Sequence, residues 1–191
     1  MAEDYGFLRP DRLPDVSYSE QRLAHLDLPW FTTQETNALA RNHCGAAAAA
    51  NVFLYLCSIH HRFPKDGDRM AFFKDVHRYV GDGPLLSISG QMAAYALVHR
   101  IPLQFYTVFG FRGIQQAISK GRIVSVQLMY SPNVGHWTLC TGWRVDQDGT
   151  RYLRLVSGWK GDASTFYCLD RDNGCHLITS TAYYWRGESY A

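Results

Sequence analysis

Five consecutive alanines, Ala46 to Ala50, follow Asn42-His43-Cys44-Gly45 and run straight into Asn51-Val52-Phe53-Leu54-Tyr55-Leu56. Such a stretch is a strong helix former that is apolar on nearly every side, so the helix must lie at the centre of the fold. Asn42 is suited to cap it, and Gly45 admits a close neighbour to its backbone. Cys44 then falls in the first turn, where unpaired N–H groups and the positive end of the helix dipole favour thiolate over thiol. The competing reading is a small packing group, since free cysteine is among the most buried residue types. The remainder of the chain has to decide between them.

A chain of 191 residues fits one domain and can bury a real core without disulfides or metal. The net charge of +2 gives no electrostatic reason for a nucleic-acid or membrane partner. Cys44, Cys57, Cys140, Cys168 and Cys175 are odd in number, widely spaced and contain no Cys-x-x-Cys. That pattern argues against a disulfide framework and a zinc site, suits a reducing compartment, and leads us to expect no metal and no cofactor. The acidic start, Met1-Ala2-Glu3-Asp4, has no secretory signal, and no stretch approaches transmembrane length, so the expected location is the cytoplasm. A signal already removed would leave the same chain in a secreted protein. Oligomeric state has no signature here.

Residues 1–30 mix Pro10, Pro14 and Pro29 with isolated apolar residues, which predicts an irregular arm with a short helix around Ser19 to His25. Residues 31–121 read as a mainly helical half: the central helix from Cys44 to His60, a second from Arg69 to Val80, a third from Ser89 to His99, and a short one from Gly113 to Lys120. The alternating run Leu103 to Val108 is a strand. Residues 122–191 turn to strands, at Arg122–Met129, His136–Trp143, Arg151–Val156, Ser164–Leu169 and His176–Trp185, with Gln147-Asp148-Gly149 as a hairpin turn. Helices first and an antiparallel sheet after define an α+β domain. His60-His61 could pair on a metal, but histidine at a helix C-terminus is explained by the dipole alone.

Gly135-His136-Trp137-Thr138-Leu139 puts His136 at the start of a strand, after the loop Ser131-Pro132-Asn133-Val134-Gly135, which can leave it facing a cleft. A neutral imidazole beside Cys44 would take the thiol proton, and the imidazolium would later protonate the leaving group. His43 is better read as a flank of the helix start than as the base.

The order of these features, Asn-His-Cys-Gly-Ala-Ala-Ala-Ala-Ala-Asn, then Gly-Arg-Ile-Val-Ser-Val-Gln-Leu, Gly-His-Trp-Thr-Leu-Cys-Thr-Gly-Trp, an Asp-Gly hairpin and Arg-Leu-Val-Ser-Gly-Trp, resembles the papain-like cysteine peptidases. The bacterial branch that includes the double-glycine leader peptidases is the most similar. The resemblance covers roughly Phe31 to Cys168, and its specific parts are the Cys-Gly helix start and the Gly-His-Trp strand. It implies a papain-like fold, Cys44 as nucleophile, His136 as general base, and a peptide or protein substrate. It also implies an Asn or Asp that orients the histidine, and here the chain departs: Ser157 precedes Gly158-Trp159 where the family has the orienting residue. Serine offers a hydrogen bond without charge, Asp162 could reach in instead, or Cys44 and His136 could work as a dyad. For the oxyanion-binding amide, Asn37 and Asn42 are both candidates. Three functions stay open: a thiol hydrolase acting on peptide or isopeptide bonds, an acyltransferase or transglutaminase-like enzyme on the same site, and an inactive peptide-binding relative.

Overall fold

The computed structural model describes residues 6–60, 68–83, 85–131, 134–171 and 174–186. Within them the chain is α+β. The strands are β1 (Phe7–Leu8), β2 (Tyr18–Arg22), β3 (Leu103–Val108), β4 (Ile123–Ser131), β5 (Val134–Asp146), β6 (Arg151–Val156), β7 (Thr165–Cys168) and β8 (His176–Trp185). The helices are α1 (Thr33–Thr36), α2 (Cys44–Ile59), α3 (Arg69–Val80), α4 (Ser89–Val98) and α5 (Gly110–Ser119). The eight strands form one antiparallel sheet in the order β1-β7-β6-β5-β4-β8-β3, with β2 paired to β5. No helix among the described residues is long and apolar enough to cross a membrane.

The central helix is α2, and every residue from Gly45 to Cys57 is buried. Its alanines present little more than backbone to the sheet and to α3, which lets larger neighbours such as Phe73, Val76 and Leu139 fill the interior around it. Gly45 is needed at the front end: a Cβ there would stand 3.0 Å from Leu85 Cδ1 and 3.2 Å from Ile88 Cγ2. Asn51 is the one strongly polar side chain within the apolar run. It is buried and grips the backbone of Phe31 from both sides, accepting from its N–H at 2.7 Å and donating to its carbonyl at 2.9 Å. That clamp ties the segment before α1 to the central helix and satisfies an amide that would be costly to bury alone.

The N-terminal arm departs from expectation. Tyr18 to Arg22 is not part of a helix but a strand running antiparallel to Gly142–Asp146 of β5, continuing the edge where β4 leaves off. Five exposed residues without an apolar face cannot sustain a helix alone, whereas β5 offers them a row of backbone partners. Arg144 fastens the arm from the β5 side: its guanidinium lies 3.9 Å from the Tyr18 ring centroid and donates to the Pro14 carbonyl and to Asp146. Farther along, β4 reaches Ser131 and β5 already starts at Val134, so most of the expected loop before His136 is strand; residues 132 and 133 lie outside the described set. Of the histidine pair, His60 ends α2 and stacks on Trp185 at 4.1 Å, while His61 lies outside the described residues. Among the described residues no group of three or more His, Cys, Asp or Glu side chains could hold a metal ion.

Candidate active site

Cys44 is the first residue of α2 and is half-buried. Trp137 packs against this helix start, a Cβ at Gly45 standing 3.5 Å from its Cδ1, and the backbone N–H groups of Trp137, Gly45 and Cys44 itself pull the thiol pKa downward. Strand β6 explains why the Trp137 N–H is free to do so. It ends at Val156, opposite Leu139, and the chain turns away at Ser157, so the residues of β5 before Leu139 have no β6 partner. The amide that joins His136 to Trp137 therefore faces the start of α2, and the cysteine and the histidine, 92 positions apart (136 − 44), belong to one neighbourhood.

His136 is held from the opposite direction. Its Nε2 donates to the backbone carbonyl of Ser157 at 2.6 Å, and the Trp159 indole lies flat on the ring, with centroids 4.1 Å apart and planes 14° apart. A ring whose Nε2 carries the proton has Nδ1 as its basic nitrogen. Phe7 of β1 backs the stack, 5.3 Å from Trp159 and 6.3 Å from His136. The loop carrying Ser157 is itself fixed, because the Gly158 carbonyl accepts from Thr33 N–H at 2.7 Å. Behind it, a cavity of about 620 Å³ reaches Ser157, Phe7 and Lys160.

The acceptor at His136 Nε2 is thus the Ser157 main chain, not its side chain. Ser157 Oγ turns the other way and accepts from the N–H groups of Trp159 and Lys160, both at 3.3 Å. Asp162 stays in its own exposed turn, where Oδ1 accepts from the backbone and the hydroxyl of Ser164 at 2.9 and 2.7 Å. Neither of the two side chains considered from sequence charges the histidine. A carbonyl acceptor carries no residue-type signature, so no motif could have disclosed it; Trp159, present in the Ser-Gly-Trp motif, was readable as a position but not as the cover over the imidazole.

Asn42 does not cap α2. The capping position falls on His43, no side chain bonds there, and Asn42 adopts a left-handed conformation (φ 52°) with its carbonyl accepting from Gly83 N–H at 3.0 Å. Asn37 follows α1, exposed, one residue after Thr36. Thr36 donates its hydroxyl proton to the Thr32 carbonyl, so Oγ1 is left to accept from His43 Nε2 at 2.5 Å. That bond ties α1, and with it Asn37, to the residue beside Cys44. The amide side chains of Asn37 and Asn42 make no hydrogen bond to Cys44 among the described residues.

Burial governs the electrostatics. The His136 imidazole is pushed down to about 4 by desolvation, with the Ser157 carbonyl pulling weakly upward. The Cys44 thiol is pushed above its ordinary value by desolvation, against the downward pull of the Trp137, Gly45 and Cys44 N–H groups. The helix start lowers the thiol pKa as expected, but the lost solvation is the larger effect, and the net direction is opposite to that read from sequence. Thiol and imidazole both rest neutral. His43, buried and edge-on to Phe73, is lowered by the same cause and serves as packing. Against protein-family models and curated proteins, the chain matches none.

Proposed function

We propose that the chain is a papain-like thiol hydrolase that opens peptide or isopeptide bonds through an acyl-enzyme intermediate on Cys44. The observation that carries this reading is a helix-starting cysteine packed beside Trp137, the residue that follows a histidine whose Nε2 is pinned by the Ser157 carbonyl under Trp159. Pinning Nε2–H leaves Nδ1 as the base. In the reaction Nδ1 takes the thiol proton as sulfur attacks the carbonyl carbon, the oxyanion is met by backbone N–H groups at the helix start, and the imidazolium protonates the departing amine. Water deprotonated by His136 then releases the acid. Because both groups rest neutral, proton transfer accompanies attack instead of preceding it, and the Ser157 carbonyl is the group that stabilises the transient imidazolium.

A neutral carbonyl as the acceptor at His136 Nε2 favours a second reading, a peptide-binding relative with little turnover. A mixture of quenched fluorescent peptides separates the two. Turnover by the wild type that disappears in Cys44→Ala supports the hydrolase; peptide binding without turnover supports the second reading; turnover that survives Cys44→Ala contradicts both.

A further inference from the structure

The edge strand β3 and the helix α5 that follows it border a second, open cavity of about 490 Å³, remote from Cys44 in the sheet order. Arg112, Lys120 and Arg122 line it and, among the described residues, no acidic residue does. Some arginines elsewhere pair with carboxylates, as in Arg144–Asp146, Arg151–Asp170 and Arg69–Glu35. Among the described residues none of these three cations is in an ion pair. Arg122 is the most constrained: its guanidinium lies 4.2 Å from the Tyr184 ring centroid and 5.1 Å from that of Tyr106, with Nε buried and lacking a hydrogen-bond partner. A guanidinium stacked in this way is already immobilised, so its fork can meet an oxyanion at little further entropic cost.

Two further features shape the cavity. Phe109 stands on its rim with 82% of its surface exposed, an apolar ring with no packing role of that extent. Gly113 sets how close α5 comes, since a Cβ there would lie 2.9 Å from Val108 Cγ1. The volume falls in the range of small-molecule sites, and three cations exceed what a single carboxylate would neutralise.

We propose that this cavity binds a small molecule bearing a phosphoryl group on a planar ring, the phosphoryl held by Arg122 together with Arg112 and Lys120 and the ring laid against Phe109. The site is independent of the peptidase reading. Calorimetric titration of the full chain with phenyl phosphate, inorganic phosphate and benzoate, at near-physiological ionic strength, tests it. Phenyl phosphate should bind roughly tenfold or more tightly than either of the others, since it alone offers both dianion and ring. Arg122→Lys keeps the charge but loses the stacked fork and should weaken phenyl phosphate by about tenfold. Phe109→Ser should bring phenyl phosphate down to the level of inorganic phosphate. Thermal unfolding and Cys44 alkylation report whether each variant is folded. Absence of binding to the wild type, equal binding of benzoate and phenyl phosphate, or undiminished binding by folded Arg122→Lys would overturn the proposal.

Discussion

Replacing His136 by Gln should flatten the acid side of the stability profile. Burial holds the imidazole at about 4, against an ordinary value of 6.5. Between those values the unfolded chain binds a proton at this residue and the folded chain does not. Stability is therefore complete above about pH 6.5 and falls as the pH drops toward about 4. A fall of that size corresponds to about 3 kcal/mol in all, of which about 2 kcal/mol is lost between about pH 7 and about pH 4.5. Gln at this position can still donate to the Ser157 carbonyl but does not titrate. Urea unfolding at the two pH values should therefore give a stability difference about 2 kcal/mol smaller in His136→Gln than in the wild type. His43 is also held down by burial, but it is present in both proteins and cancels from the comparison. Equal pH dependence in the two would refute the reasoning, because it would mean that the His136 ring is solvated or already charged in the folded state.

Three further outcomes follow from the same geometry. Iodoacetamide should label Cys44 before Cys57, Cys140, Cys168 and Cys175, which are all buried, and its rate should rise toward alkaline pH because the thiol is pushed up; peptide mapping showing fast labelling near pH 6 would contradict this. Ser157→Ala removes the two bonds to Trp159 and Lys160 N–H but keeps the carbonyl at His136, and Asp162→Asn touches only its own turn. Both should leave Cys44 alkylation within about threefold of wild type, Ser157→Ala costing about 1 kcal/mol in urea unfolding, and a larger change in alkylation would restore a side chain as the orienting group. Asn51→Leu breaks both bonds to the Phe31 backbone and leaves its buried polar groups unpaired, which should cost about 2 to 4 kcal/mol by urea unfolding; a loss under about 0.5 kcal/mol would show that the clamp is dispensable.

What was legible from sequence was whatever residue type declares. The alanine run announced a buried central helix, and α3, β3, β6 and β8 fall on their expected bounds because their apolar periods are long and clean. Tyr18–Arg22 has no such period. Its strand exists because β5 outruns β4 and offers backbone to pair with, a tertiary reason that local pattern cannot carry. The helix start correctly signalled N–H groups around Cys44, yet the sign of the thiol shift depends on how much solvent the fold removes, which is not a property of the motif. The support of His136 was hidden for a different reason: Ser157 contributes its main-chain oxygen, the one group every residue shares. Asn51 did leave a trace, since an amide amid Ala50, Val52 and Phe53 must find partners once buried.

The most direct test of the account is the mass of the intact chain during reaction with a peptide thioester, compared between wild type and His136→Ala at neutral pH. The account predicts a transient acyl adduct mapping to Cys44 alone, forming at least about a hundredfold more slowly in His136→Ala, the range expected for loss of a general base. An adduct on any other residue, or equal rates in the two proteins, would contradict it.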